Sequence, residues 1–304
     1  MSMTGQQFTL TVGEHEATVV EVGAGLRRYT HRGADVTCTY GEDVLPPKCC
    51  GGVLVPWPNR LRGGRYMFDG AEQQLALTEP ATGNAIHGLG RWARWDVRQQ
   101  DASSVTLGLD VVPQTGWPFE LTVEIRYTLD ATDGLRVDAT AANHGSGRAP
   151  FGAGFHPYLA CGSDGSAGVA DVEVTIPADT RLLVDAAQIP VGAEPVEGTA
   201  YDLRGGRRLG ELRMDDCFTG LDFSDGRAVA EVRASGAAAR LWCDESFSYL
   251  QAFTLDAFPG GGSGIAIEPM TCAPDAFNSG AGLLVLEPGT SWKGSWGITP
   301  LEKP

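Results

Sequence analysis

The chain contains little positive charge. Its 304 residues include 23 Lys and Arg against 38 Asp and Glu, which gives a formal net charge of −15. A surface with this balance repels phosphate backbones and anionic lipids, so we expect neither nucleic acid nor a membrane surface as a partner. No apolar run approaches the length of a membrane span, and residues 1–10 resemble no signal peptide. We therefore expect a cytoplasmic protein.

Several chemical signatures are missing as well. The 7 cysteines are odd in number, scattered and without a CxxC pair, which predicts reduced thiols. There is no GxxxxGK[ST] phosphate loop, no GxSxG elbow and no HExxH pair. The 5 histidines and the cysteines show no metal-ligand spacing. The sequence accordingly predicts no metal and no cofactor.

Short strand-like runs fill the chain, and 41 Gly and 18 Pro separate them. Between residues 121 and 129 every odd-numbered side chain is apolar or aromatic and every even-numbered one is polar, which is typical of a strand with one wet face. Further strands are predicted at 8–12, 17–22, 36–40, 104–112, 135–141, 172–176, 221–223, 228–234, 238–243, 249–255, 265–268, 283–286 and 291–298.

Other segments are richer in turn residues. Residues 41–95, 162–166 and 180–208 read as loops, and no segment shows three turns of helical periodicity. Repeated short strands with turn signals predict an all-β fold, a large antiparallel β-sandwich with few or no helices. With 42% hydrophobic residues and no evident linker, the economical interpretation is a single domain over residues 1–304.

Glu268 follows a short apolar run, Ile265-Ala266-Ile267, and precedes Pro269. Because proline cannot donate to a sheet ladder, we expect regular pairing to end near Glu268. A carboxylate at a strand end is held rigidly at the edge of a sheet, where it could act catalytically. On this segment alone, a solvated edge glutamate remains the other interpretation.

Two histidines lie in unusual settings, whereas His15, His31 and His144 sit in turns and are expected to be solvated. His156 lies between an aromatic residue and a proline in an apolar loop, which fits either a tuned acid or base or a hydrogen-bonded core residue. His87 has glycines on both sides, which would allow the backbone to approach a ligand closely.

Polar residues in two further loops are candidates for ligand binding. Asn59 and Arg60 follow Pro56-Trp57-Pro58, a stiff loop of the kind that suits polyhydroxyl ligands, although a surface arginine is the alternative. Asp215 and Asp216 are adjacent, so at most one of them is expected to face a given site. Taken alone, that pair looks like a turn.

Five motifs, in order over residues 56–278, resemble the aldose 1-epimerase (galactose mutarotase) family. They are Asn59-Arg60 after a proline, Ile86-His87-Gly88, Phe155-His156-Pro157-Tyr158, Asp215-Asp216-Cys217-Phe218, and Glu268-Pro269 with Pro274-Asp275 and Asn278. The resemblance implies the family's large antiparallel sandwich. It also implies Glu268 as general base, His156 as general acid, Arg60 and His87 as ligands of sugar hydroxyls, and Asp215 rather than Asp216 in the site.

The resemblance further implies ring opening by acid-base chemistry on a free hexose such as glucose or galactose. Glu268 would be ionised at neutral pH, and its charge would raise the pKa of His156. The sequence departs from many members at Met270-Thr271-Cys272 and at Gly88-Leu89, which leaves the sugar open.

Three alternatives also stay open. They are an epimerase of a phosphorylated hexose using Arg62, Arg65 or Arg91, a glycoside hydrolase pairing Glu268 with Asp215, and a sugar-binding module on the same fold. A small-molecule sugar is the expected partner, and the chain could be a monomer or a homodimer.

Overall fold

Alternation of apolar and polar side chains builds the largest sheet of the protein. In a computed structural model, which describes residues 2–162 and 168–302, Leu121–Asp130 buries every second side chain. It belongs to an antiparallel sheet with the strand order Asp96–Gln100, Ser104–Val111, Leu121–Asp130, Gly134–Asn143, Ser291–Pro300, Ala238–Asp244, Arg227–Arg233, Glu173–Thr175 and Arg207–Arg208.

A second large antiparallel sheet carries Glu268. Its strand order is Pro190–Pro195, Ala178–Val184, Asp215–Leu221, Tyr249–Leu255, Gly264–Met270, Gly154–Phe155 and Val53–Leu54, and Tyr158–Ala160 also pairs with Gly264–Met270. Every residue of Gly264–Met270 is buried, which explains why this strand reads as an apolar run without alternation.

The two large sheets share one hydrophobic core. Phe155 of the second sheet packs on Trp296 of the first, with ring centroids 5.1 Å apart. Apolar residues of both sheets, including Val123, Ile125 and Ile267, belong to the same buried cluster. The predicted all-β antiparallel sandwich is therefore confirmed, and all 7 cysteines are free.

Smaller elements surround these sheets. A four-stranded sheet contains Gln7–Val12, His15–Val20, Leu26–His31 and Ala34–Asp35, and three two-stranded pairs are Ala149–Phe151 with Leu284–Leu286, Arg60–Leu61 with Ala85–Ile86, and Arg65–Phe68 with Ala71–Gln74. The helical elements are the α-helical turn Ala276–Ser279 and the 3₁₀ turns Pro47–Cys49, Arg62–Gly64 and Val169–Asp171. Within the described ranges, no helix has the length and apolar character needed to cross a lipid bilayer.

Several strand predictions were wrong. The expected strand at 36–40 forms only an isolated bridge, Thr37 with Leu159. Its alternation does not reflect one exposed face, because Thr37 is buried like Val36 and Cys38. The segment 180–208, expected to be irregular, contains Ala178–Val184 paired with Pro190–Pro195. Both strands are largely half-buried or exposed, and Pro190–Pro195 forms the edge of the sheet, so no alternation of buried and exposed side chains marks them. The loop predicted at 162–166 lies almost wholly outside the described residues.

The expectation that pairing ends at Glu268 was also wrong. The ladder with Tyr249–Leu255 continues through Pro269 to Met270. On the other side, Gly264–Met270 pairs with Tyr158–Ala160 at residues 264–266 and with Gly154 at Met270. Pro269 lies in the interval between these two contacts, where no ladder bond to a strand on that side is required of it. Glu268 therefore sits inside a sheet, not at its lip.

Candidate active site

The sequence-predicted site residues converge on one pocket. It has a volume of about 270 Å³, and its walls include Asn59, Arg60, His87, His156, Asp215 and Glu268. The pocket is also lined by Arg91, which the sequence offered for a phosphorylated hexose, and by residues that it did not single out as site residues, among them Lys48, Glu79, Tyr158, Gln251 and Phe253. The fold thus gathers the six predicted side chains from five separate segments around one cavity.

His156 lies opposite Glu268 because the neighbouring strand is interrupted there. His156 and Pro157 separate Gly154–Phe155 from Tyr158–Ala160, and both of these short strands pair with the strand of Glu268. Nε2 of His156 is 3.2 Å from Oε1 of Glu268. The His156 backbone is held by the preceding loop, since its N–H donates to the Gly52 carbonyl and its carbonyl accepts from the Gly51 N–H.

Both members of this pair are buried, at 7% and 2% exposure, and burial dominates their titration. Burial, with a smaller contribution from the charge of Arg91, lowers the pKa of His156 to about 3. Burial, followed by the nearby charge of Asp215, raises the pKa of Glu268 well above its usual value, while Arg60 acts in the opposite direction. The expectation of an ionised Glu268 that raises the His156 pKa was therefore wrong.

The atoms of this pair also leave hydrogen-bonding capacity unused. Nδ1 of His156 and Oε2 of Glu268 are buried and have no hydrogen-bond partner among the residues that the structure describes. Buried polar atoms of this kind are costly unless a ligand or solvent satisfies them. Both atoms belong to side chains that line the pocket, so a polar ligand there would find partners already in place.

His87 and Asn59 form a second pre-organised unit. Both have left-handed backbone conformations, with φ of 62° and 54°, and the His87 N–H donates to the Asn59 carbonyl at 2.9 Å. The Asn59 N–H in turn donates to Nδ1 of His87 at 3.2 Å. Nδ1 is thus an acceptor, and burial lowers the pKa of His87 well below its usual value. The neutral ring consequently carries its proton on Nε2, as a donor.

The glycine beside His87 has a different role from the one expected. Gly88 has φ of 68°, and a Cβ atom there would lie 2.0 Å from the Val55 carbonyl oxygen. Close approach at this glycine is therefore to the protein's own backbone rather than to a ligand. It holds the His87 loop against the loop that carries Asn59.

Arg60 is fixed by carboxylates on two sides. Its Nε and Nη2 donate to Glu79 at 2.8 and 3.0 Å, and Nη2 lies 3.8 Å from Oδ2 of Asp215. The two-point contact with Glu79 sets the plane of the guanidinium. Asp275 supports the same segment, because its N–H donates to the Arg60 carbonyl at 2.7 Å. The Pro274-Asp275 motif thus positions Arg60 and does not line the pocket itself.

The structure separates the two adjacent aspartates, which begin a strand rather than a turn. Asp215 lines the pocket and accepts from Nε2 of Gln251 at 2.7 Å. Asp216 points elsewhere and pairs with Nε of Arg181 at 2.7 Å. Gln251 also lies directly across the ladder from Glu268. It therefore links the strand of Asp215 to the strand of the proposed base, and no local sequence pattern marks it.

The remaining histidines lie outside the pocket lining. His15, expected to be solvated, is buried; its Nδ1 lies 2.9 Å from the Tyr29 hydroxyl and its ring stacks on His31. His31 is half-buried and His144 is exposed. Among the residues that the structure describes, no three His, Cys, Asp or Glu side chains are grouped so as to hold a metal ion.

Comparison with known proteins identifies relatives of this chain. A profile of the family described as Aldose 1-epimerase matches residues 6–299. The chain is 33% identical over 289 residues to the uncharacterized protein YihR of Escherichia coli strain K12, which covers 95% of this chain and 91% of that protein. It is 34% identical over 179 residues to the galactose mutarotase of Homo sapiens, covering 57% of this chain and 50% of that protein.

Solved structures show the same fold. The structure described as the GalM/aldose epimerase homologue from C. elegans superposes with a TM-score of 0.84. The superposition covers 98% of this chain and 99% of that chain, at 18% sequence identity. At that identity the likeness concerns the fold, and it agrees with the antiparallel sandwich described above.

Proposed function

Because the chain belongs to the aldose 1-epimerase family, we propose that it interconverts the α and β anomers of a free hexose such as glucose or galactose. The contact between His156 and Glu268 at the pocket wall carries this proposal. Opening a hemiacetal ring requires one group that removes a proton and one that supplies a proton, and this pair can do both.

The reaction needs no covalent intermediate. Glu268 removes the proton of the anomeric hydroxyl while His156 protonates the ring oxygen, so the bond between the anomeric carbon and the ring oxygen breaks and a carbonyl forms. Rotation about the bond next to the carbonyl exposes its other face. Closure reverses both proton transfers and gives the other anomer. Each transfer typically contributes ~10²–10⁴-fold to the rate.

The pKa directions define the starting state of this pair. The raised pKa of Glu268 and the lowered pKa of His156 both favour the neutral forms, a protonated Glu268 beside a neutral His156. Transfer of that proton from Oε1 to Nε2 produces the carboxylate and imidazolium that the reaction requires. Arg60 favours this transfer because its charge stabilises ionised Glu268. Sugar hydroxyls that bind to the unpaired oxygen of Glu268 would favour the transfer in the same way.

The other pocket residues would bind and orient the sugar. His87 offers an Nε2–H donor, Arg60 a fixed guanidinium, Asp215 an acceptor and Asn59 a polar side chain in the same wall. Their rigid placement supports binding in one orientation, which is what positions the anomeric hydroxyl toward Glu268.

Polarimetry of freshly dissolved α-glucose and α-galactose tests the proposal. Wild-type protein should accelerate the approach to the equilibrium rotation for at least one free hexose. A sugar-binding module would bind the sugar, seen by calorimetry, without changing that rate. A glycoside hydrolase would instead release the aryl group from an aryl glycoside, and that release would have to survive the loss of His156.

A further inference from the structure

Two cationic residues of the pocket have no carboxylate partner. Most arginines in the described ranges form an ion pair, as Arg60 does with Glu79, but neither Lys48 nor Arg91 forms one in residues 2–162 and 168–302. Arg91 instead donates to Sγ of Cys49, with Nη1 and Sγ 3.1 Å apart. In a chain with a net charge of −15, two unpaired cations on one pocket wall are a feature to explain.

The two cations lie on the His156 side of the pocket. The Tyr158 hydroxyl donates to the Lys48 carbonyl at 3.1 Å, and the Tyr158 ring stacks on His156 with centroids 5.1 Å apart. Cys49, which accepts from Arg91, directly follows Lys48. These contacts place the Lys48 backbone and, through Cys49, the Arg91 guanidinium beside the proposed acid, and the exposed Lys48 side chain lines the same pocket.

The acidic groups of the pocket are arranged differently. Glu79 and Asp215 both contact Arg60, and Asp215 is tied through Gln251 to the strand of Glu268. The pocket therefore has acids around Arg60 and cations without a carboxylate partner on the side of Tyr158, with Arg91 close enough to Glu79 for its charge to lower the pKa of that carboxyl. An anionic group would be attracted to the second region and repelled from the first.

The geometry of a pyranose ring indicates which substituent reaches these cations. The carbon that carries C6 is bonded directly to the ring oxygen, and His156 is the proposed donor to that oxygen. A group on C6 therefore projects beside His156. Resting on the function proposed above, we infer that the preferred substrate is a hexopyranose with an anionic group on C6, recognised by Lys48 and Arg91.

Arginine is well suited to this recognition because its planar guanidinium can bind phosphate, sulfate or carboxylate oxygens at two points. The other arginines that the sequence offered for a phosphate are engaged elsewhere. Arg62 pairs with Asp185, and Arg65 donates to Gln74. Neither of them lines the pocket.

The first experiment compares sugars on the wild-type enzyme. Glucose, galactose, glucose 6-phosphate, glucose 6-sulfate and glucuronic acid are assayed for anomer exchange, corrected for the spontaneous rate. The inference predicts that kcat/KM for at least one C6-anionic sugar exceeds that for glucose by about tenfold or more. The phosphate, sulfate and carboxylate arms identify which anion is bound.

The second experiment tests the two cations. Lys48→Gln and Arg91→Gln should each lower kcat/KM for the preferred anionic sugar about tenfold more than for glucose, mainly through KM. Lys293→Gln and Arg207→Gln are matched controls, because both residues are exposed and lie outside the pocket lining. These controls should leave the ratio between the two sugars unchanged.

Two results would overturn the inference while the proposed function stands. One is a wild-type kcat/KM for glucose or galactose that equals or exceeds that for every C6-anionic sugar. The other is an unchanged ratio between anionic sugar and glucose in folded Lys48→Gln and Arg91→Gln proteins. Absence of anomer exchange with every sugar would instead contradict the proposed function itself.

Discussion

Nε2 of His156 lies 3.2 Å from Oε1 of Glu268, although the two residues come from distant parts of the chain. The contact arises because His156 occupies the interruption between two short strands that both pair with the strand of Glu268. Two buried ionisable groups at this distance share a proton and must titrate as a unit.

Replacing both Glu268 and His156 should lower kcat little more than replacing one of them. We expect Glu268→Gln and His156→Asn each to lower kcat ~10²–10⁴-fold, and the double variant to be nearly as active as the worse single variant. The reason is that neither proton transfer is useful without the other. A double-mutant cycle measured by polarimetry checks this, and multiplicative losses would show that the two residues act independently.

Activity should be insensitive to pH around the ordinary pKa of histidine. The pair holds one proton and takes up a second only as the pH falls through the His156 pKa of about 3. It loses its proton as the pH rises through the raised pKa of Glu268. We therefore expect kcat/KM not to fall as the pH drops through ~6.5, where an isolated histidine would titrate, because protonation of His156 is displaced to about pH 3. A sharp change centred near ~6.5 in buffer-corrected polarimetry would contradict the shared proton.

Substitutions at the two adjacent aspartates should have different effects, on catalysis at Asp215 and on stability at Asp216. Asp215→Asn removes a pocket carboxylate beside Arg60, so kcat/KM should fall roughly 10–100-fold, the equivalent of a charged hydrogen bond. Asp216→Asn breaks the pairing with Arg181 outside the pocket, so the free energy of unfolding should fall by about 1–3 kcal/mol with little effect on kcat/KM. Urea unfolding and polarimetry of both variants measure this, and the reverse pattern would place Asp216 in the site.

His87 should make the fold sensitive to acid. Its folded-state pKa lies well below its usual value, so its contribution to stability is fully present above the unfolded pKa of ~6.5 and is lost as the pH falls. Below ~6.5 the loss approaches ~1.4 kcal/mol per pH unit for this one residue. His87→Asn does not titrate there, and its side-chain oxygen can still accept from the Asn59 N–H. Urea unfolding at pH 7 and 5 should show a shallower dependence in the variant, and equal slopes would refute the assignment.

Much of the fold was predictable because apolar and polar side chains alternate along a strand that has one solvent-exposed face. Leu121–Asp130 is such a strand, and its predicted bounds differ by one residue. At residues 36–40 the alternation of apolar and polar residues wrongly predicted a strand, because this segment forms only an isolated bridge. Alternation was absent from Ala178–Val184, which is half-exposed along much of its length. Pro269 suggested a strand end, but the interruption of the neighbouring strand lets the ladder continue past it.

The site was predictable only in part, for a related reason. His156 and Glu268 stand out locally through their proline and aromatic neighbours, and the motif order made their partnership plausible. Gln251 and Glu79 carry no such local mark, because they reach the pocket through strand register and through an ion pair with Arg60. The pKa directions were mispredicted because sequence does not show how completely the pair is buried.

The most direct test of the account is the activity of Glu268→Gln on a sugar that the wild type converts. The substitution keeps the shape of the side chain but removes the base. Polarimetry should show the rate of anomer interconversion falling ~10²–10⁴-fold, while calorimetry shows that the sugar still binds. A Glu268→Gln protein that binds sugar and interconverts its anomers at the wild-type rate would contradict the central role of this residue.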